Sequence, residues 1–217
     1  MDINSTPDSH RIVSRDSWKR TEYFDFFSQF SEPFFSVCAE VDCSGLVREC
    51  RRRKEASTLP LWHAVLKAAN EVEEFRYRIK DAAPVVFDKV HLSPTVLRPD
   101  KTFTVSFVPY LESLEEFRQA AQAALEEAQQ SSGFSLSESA RRVDLIHFSS
   151  LPWFRFTGLT HARPMASGEC EPKITIGRFG ERDGKILLPV SVTVHHGFVD
   201  GYHVARYLEV LESFTSP

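Results

Sequence analysis

The sequence predicts an α/β protein in which helices pack on a mixed β-sheet. Three observations carry this. Apolar residues alternate at Phe35, Val37, Ala39 and Val41, and again at Leu188, Val190, Val192 and Val194. Helical stripes recur at Leu61, Val65, Ala69 and Val72, at Leu114, Phe117, Ala121 and Leu125, and at Val204, Tyr207, Leu208 and Leu211. Strands and helices interleave without a strict βαβ order, which favours a mixed sheet over a parallel one. At 217 residues the chain is long enough for one sizeable core, so one domain is expected over 1–217.

Residues 1–15 are polar and read as a loose arm. Trp18, Phe24 and Phe27 are spaced for a short helix opened by Ser17, and the strand at 35–41 follows. Ser44 is placed to cap a helix through Leu46 and Val47 that ends in the basic run Arg51–Lys54, a solvated face. Pro60 sits at the start of the next helix. Short strands are expected at 84–88, 94–98 and 102–109. Ser113 and Glu116 then form a capping box for a helix. A loop at QQSSGFSLSES leads to an apolar run at 143–148, the turn-like SSLPW and a Gly/Pro/Ser-containing loop at 158–172. Strands at 173–179 and 185–195 flank GERDG as a hairpin, and a helix spans about 201–213.

A net charge of −4 gives no reason to expect nucleic acid or a membrane surface as partner. MDINSTPDSH lacks a signal pattern, and no apolar run approaches a membrane span. Cys38, Cys43, Cys50 and Cys170 fit no zinc spacing and read as reduced thiols, so a cytoplasmic location is expected.

The stretch VTVHHGFVDGYHVARYL, 192–208, poses the chemical question. Strand parity puts His196 in register with Leu188, Val190, Val192 and Val194, and His195 with Pro189, Ser191 and Thr193. If that period holds, His196 points to the apolar side, where desolvation keeps an imidazole neutral and able to accept a proton. Asp200 opens the last helix and can cap its N–H groups or pair with a cation. The plainer reading makes His196 a core histidine and Asp200 only a cap. A metal held by His195, His196, Asp200 and His203 is disfavoured, because adjacent histidines on opposite strand faces do not readily share an ion.

HHGFVDGYHVARYL resembles the C-terminal signature of the chloramphenicol acetyltransferase family, whose wider clan of coenzyme A-dependent acyltransferases shares H-x-x-x-D-G. WKRTEYFDFF, EEFRYRIKD, DKTFTVS, SSLPWFRFTGL, ITIGRF and KILLPVSVTVHH match in order over nearly the whole chain. The resemblance implies a two-layer sandwich and an acetyl-CoA-dependent O-acetyltransferase. It carries the general base onto His196 and the oxyanion-stabilising serine onto Ser149. Thr175 falls where the family orders a water, and Asp200 and Arg20 fall on a structural pair. It further implies acceptor-pocket residues Phe26, Phe27, Phe35, Phe103, Phe156 and Leu159, and coenzyme-flanking Trp153 and Phe179. The resemblance also implies acetyl-CoA as a co-substrate, no permanently bound cofactor and no metal, and a homotrimer with sites at subunit interfaces. His161 stands where the family's wall is usually apolar, and SEPFF also departs. An O-acetyltransferase for a different hydroxylated small molecule, or a noncatalytic binder on the same fold, is therefore the alternative.

Overall fold

The computed structural model describes residues 8–133, 142–163 and 168–216. The first residues of the expected N-terminal arm, the centre of the loop after residue 130 and part of the loop near 165 lie outside them. The described residues form ten strands and five α-helices. Strand β1 is His10–Ile12, β2 Phe34–Asp42, β3 Tyr77–Lys80, β4 Ala83–Phe87, β5 His91–Leu97, β6 Phe103–Val105, β7 Leu145–Ser150, β8 Lys173–Ile176, β9 Gly180–Arg182 and β10 Lys185–His195. The helices are α1 Thr21–Phe27, α2 Ser44–Arg53, α3 Thr58–Glu71, α4 Leu114–Gln130 and α5 Gly201–Thr215.

The main sheet runs β2-β10-β8-β7-β5-β6, with β9 paired to β10. It is mixed: β5/β7 and β7/β8 are parallel, and the other pairs are antiparallel. Helices α2, α3, α4 and α5 pack on one another and onto β10, β2 and β5, forming the second layer. The apolar register of the strands faces this layer. Leu92, Ile146, Phe148, Ile174, Ile176, Leu188, Val190, Val192 and Val194 all belong to one core with Leu61, Val65, Phe117, Val204, Tyr207 and Leu211. A smaller sheet, β1-β4-β3, stands apart from the main one.

Several expectations shift. Residues 10–12 of the expected loose arm are a strand, because β4 offers them an edge. Helix α1 begins after Arg20, three residues later than a Ser17 cap would place it. Ser44 is the first helical residue of α2 rather than its cap. The side chain of Asp42 takes the capping part, accepting from the Ser44 amide at 2.9 Å and the Ser44 hydroxyl at 2.5 Å. The Ser113 hydroxyl accepts from the Glu116 amide, which is one half of the expected capping box. Ser149 and Ser150 end β7 instead of opening a turn, and β8 stops at Ile176. Asp183 and Gly184, both at positive φ, make the two-residue hairpin turn between β9 and β10.

The second face of the main sheet is polar. Residues two apart on each strand supply it: Ser93 and Thr95 on β5, His147 and Ser149 on β7, Lys173 and Thr175 on β8, and Ser191 and Thr193 on β10. Most of these are buried too, so β10 is enclosed on both faces from Ile186 to His195.

Candidate active site

The turn after β10 carries the paired histidines. The strand ends at His195, and the His196 amide closes it by donating to the Pro33 carbonyl at 2.7 Å. His195, not His196, is the deeply buried member. The parity reading required the strand period to reach His196, but β10 ends at His195, and the polar face that His195 shares with Ser191 and Thr193 is itself covered. His195 packs among Phe24, Phe34 and Phe198, and its Nδ1 accepts from the Gly197 amide at 3.1 Å. Burial pushes its pKa down to about 4, with the neighbouring His196 and Arg163 acting in the same direction. Gly197 fits closely here: a Cβ would lie 3.0 Å from the His195 ring and 3.2 Å from the Phe24 backbone, so either neighbour would have to give way.

His196 is half-buried. Its ring stacks on Phe27 at 4.0 Å between centroids and lies 4.6 Å from Phe35. Its Nδ1 is 3.2 Å from the Val199 carbonyl. A carbonyl only accepts, so the neutral ring carries its proton on Nδ1 and holds Nε2 as an acceptor. The turn itself is braced by Arg20. Its Nη1 donates to Asp200 Oδ2 at 2.8 Å, its Nη2 to the His196 carbonyl at 3.1 Å and its Nε to the Gly197 carbonyl at 3.3 Å. Asp200 also caps α5, accepting from the Tyr202 and His203 amides, while its own amide donates to His203 Nδ1. Burial works to raise the Asp200 carboxyl. The Arg20 bond and the His203 and Arg20 charges outweigh it and hold the group below the usual carboxylate range.

Ser149 and Thr175 lie elsewhere. Together with Ser93, Thr95, Phe103, His147, His161 and Lys173 they line a cavity of about 450 Å³ on the polar face. Ser149 Oγ donates to Thr95 Oγ1 at 3.2 Å, and Thr175 Oγ1 is 3.4 Å from His161 Nε2. Burial lowers the His161 pKa, the Lys173 charge adds to this, and Glu169 opposes it. The register separates the two regions. Ser149 pairs with Thr175, and Thr175 with Ser191. His196 lies five residues beyond Ser191, roughly 16 Å along the strands and, two strands over, roughly 10 Å across.

Of the other predicted residues, Phe26 is exposed beside Phe27, and Trp153 is exposed on the segment after β7. Phe156 lies against Gly177, where a Cβ would meet its ring at 3.1 Å. Phe179 packs partly buried against the core, and Leu159 is half-buried. Sequence reasoning missed Gly197, Ser93, Thr95, His147 and Lys173. The alternating polar positions in HLSPT, HFS and KIT were the available signal for the last four.

Comparison with known proteins agrees with this architecture. Residues 9–212 match the family model described as chloramphenicol acetyltransferase. A chloramphenicol acetyltransferase of Streptomyces acrimycini is 31% identical over 93% of this chain and 92% of its own. A Haemophilus influenzae chloramphenicol acetyltransferase 2 is 28% identical over 92% and 94%. A solved chloramphenicol acetyltransferase superposes with a TM-score of 0.88 at 29% identity, over 96% of this chain and 100% of its own. The chain belongs to the chloramphenicol acetyltransferase family, which uses acetyl-CoA as co-substrate for O-acetyl transfer.

Proposed function

We infer that this chain transfers the acetyl group of acetyl-CoA to the hydroxyl of a small alcohol, with chloramphenicol as the first acceptor to test. The observation that carries this reading is the ring of His196, held by two aromatic neighbours and the Val199 carbonyl with Nε2 left to accept. In the proposed mechanism Nε2 takes the proton of the acceptor hydroxyl as its oxygen attacks the thioester carbonyl. The carbonyl oxygen becomes an oxyanion, to which the Ser149 hydroxyl donates. Collapse breaks the carbon–sulfur bond, and the departing thiolate receives the proton from His196. Arg20 and Asp200 position the turn, and Thr175 holds a water or acceptor group on the cavity floor. Phe27, Phe35, Phe103, Phe156 and Leu159 form the acceptor wall with the more peripheral Phe26, and His161 adds a polar group to it. Trp153 and Phe179 flank the coenzyme.

The separation between His196 and Ser149 supports a site completed between copies of the chain. We therefore assign a homotrimer in which one chain supplies His196 and the next supplies the cavity. No helix among the described residues is long and apolar enough to cross a membrane, and we place the reaction in the cytoplasm, in keeping with four free cysteines.

The test is thiol release from acetyl-CoA with chloramphenicol, with the acetylated product identified by mass. Release that depends on acceptor and disappears in His196→Ala is expected. Binding of acetyl-CoA without acceptor-dependent release for any alcohol would identify a noncatalytic binder. Acetylation of other alcohols with chloramphenicol untouched would move the acceptor assignment to a different hydroxylated molecule.

A further inference from the structure

The helix layer encloses a cavity of its own, on the other side of the main sheet from Ser149. Helices α2, α3, α4 and α5 leave about 390 Å³ between them. Its walls are apolar: Leu46 and Cys50 from α2, Pro60 and Ala64 from α3, Leu114 from α4 and Phe214 from α5. Helical spacing sets its shape. Positions 60, 64 and 67 stack along one face of α3, as 46, 50 and 53 do on α2, so the cavity runs along both helices. Residues 60 and 67 are seven apart, which makes it roughly 10 Å long. The small side chain of Ala64, in the middle of the α3 face, leaves the room. The charges around the cavity are paired in all but one place. Glu49 accepts from Arg52 and Arg53, each at 2.6 Å, and Glu55 accepts from Arg118 at 2.6 Å. His63 donates from Nε2 to the Leu111 carbonyl at 2.9 Å. Lys67, half-buried at the cavity edge, has no carboxylate partner among the described residues. Its ammonium lies 5.0 Å from the centre of the Phe214 ring. A contact with a ring face leaves ammonium N–H donors open to an acceptor.

We propose that this cavity binds a medium-chain carboxylate, with its headgroup on the Lys67 ammonium and its tail along the apolar walls toward the Arg118–Glu55 pair. One open cation at the end of an elongated apolar space matches a single negative charge on an apolar chain. A cationic ligand is disfavoured, because Glu49 and Glu55 already hold guanidinium groups. A polyol is disfavoured, because the walls between the charged ends offer it few hydrogen-bond partners. The cavity shares no residue with the groups assigned to acetyl transfer, so the proposal stands apart from the transferase reading.

The probes are octanoate, butanoate and octanamide, titrated by calorimetry into the wild type, Lys67→Gln, Lys67→Arg and Ala64→Leu. Octanoate should bind the wild type and raise its Tm with ligand concentration. Loss of a charge-assisted hydrogen bond corresponds to about a 10-fold or greater weakening. Lys67→Gln should weaken octanoate by that factor, and Lys67→Arg, which keeps the charge, should retain most of the affinity. Each buried methylene contributes about 4-fold, so butanoate should bind the wild type at least about 10-fold more weakly than octanoate. Octanamide, which lacks the charge, should bind the wild type about as weakly as octanoate binds Lys67→Gln. Ala64→Leu fills the cavity and should weaken octanoate, with its ligand-free Tm level or higher. Thiol release from acetyl-CoA should be the same in all four proteins. No binding of octanoate to the wild type at millimolar concentration, equal binding by the wild type and Lys67→Gln, or displacement of octanoate by chloramphenicol would overturn the proposal.

Discussion

The turn at His196 and the cavity at Ser149 are built on opposite terms. In the turn, the polar groups that fix the geometry are met by protein, and His196 Nε2 alone is left open to accept. Arg20 makes three bonds, Asp200 caps a helix and takes a guanidinium, and the imidazole is fixed at one nitrogen. In the cavity, the Ser93 hydroxyl has no partner among the described residues, and the His161 contact to Thr175 is long. The difference teaches where each kind of precision comes from. In the proposed mechanism His196 is the base, and a base needs its orientation set before substrate arrives, which its neighbours here supply. A recognition surface needs open valence, so its neighbours leave it alone.

The largest expected effect comes from removing the group held most firmly. His196→Ala should lower kcat/KM by 10³-fold or more with Tm nearly unchanged, as loss of a general base does. His195→Ala should do the reverse. It empties a buried aromatic cluster, so urea or thermal unfolding should show a loss of about 2–3 kcal/mol while most activity survives. Equal activity losses in the two variants would erase the distinction between them.

Mixing sharpens the comparison further. His196→Ala chains refolded with Ser149→Ala chains should regain a sizeable fraction of activity, because an interface between unlike chains can assemble one intact turn and one intact cavity. Activity in a species that light scattering identifies as a monomer would contradict the shared site.

Asp200→Asn tests whether the brace is structural. It weakens the Arg20 contact at a partly exposed carboxylate, so unfolding should show a loss of about 1–2 kcal/mol, with activity falling in parallel. Full stability with abolished turnover would make Asp200 a participant in the chemistry.

The pH dependence of stability is expected to be smaller per unit and to involve both regions. His195 in the turn and His147 in the cavity are pushed down to about 4, His195 by burial first and then by the His196 and Arg163 charges, His147 by burial first and then by Lys173. Both have an unfolded value near 6.5. Between those values the unfolded chain binds more protons than the folded one, so stability falls as pH is lowered from about 6.5 to about 4. Urea midpoints across that range would show the slope, and His147→Phe should flatten part of it. The smallest change is expected from His161→Leu, a few-fold decrease in KM for chloramphenicol with kcat preserved, measured by steady-state thiol release.

Much of this was legible from residue order. Alternation located β2 and β10, and stripes located α3, α4 and α5 to within a few residues. The Arg20–Asp200 contact spans 180 positions, and only the resemblance suggested it in advance. Strands β1 and β3 escaped notice because each is short and stable only by pairing with β4. The same parity that correctly sorted Ser191 and Thr193 from Val190 and Val192 misjudged the histidines. It required the period to continue to His196, one residue past the end of the strand.

The sequence by itself determined which residues can form strands and helices, and which side chains are available for chemistry, because local periodicity and side-chain type are properties of neighbours along the chain. Tertiary structure decided that the polar face of β10 is covered and that His195 is the buried histidine. It also decided that Ser93 and His147, 54 positions apart in sequence, sit opposite each other in the β5/β7 register. Burial and strand register depend on which segments pack together, and no short window of sequence contains both partners.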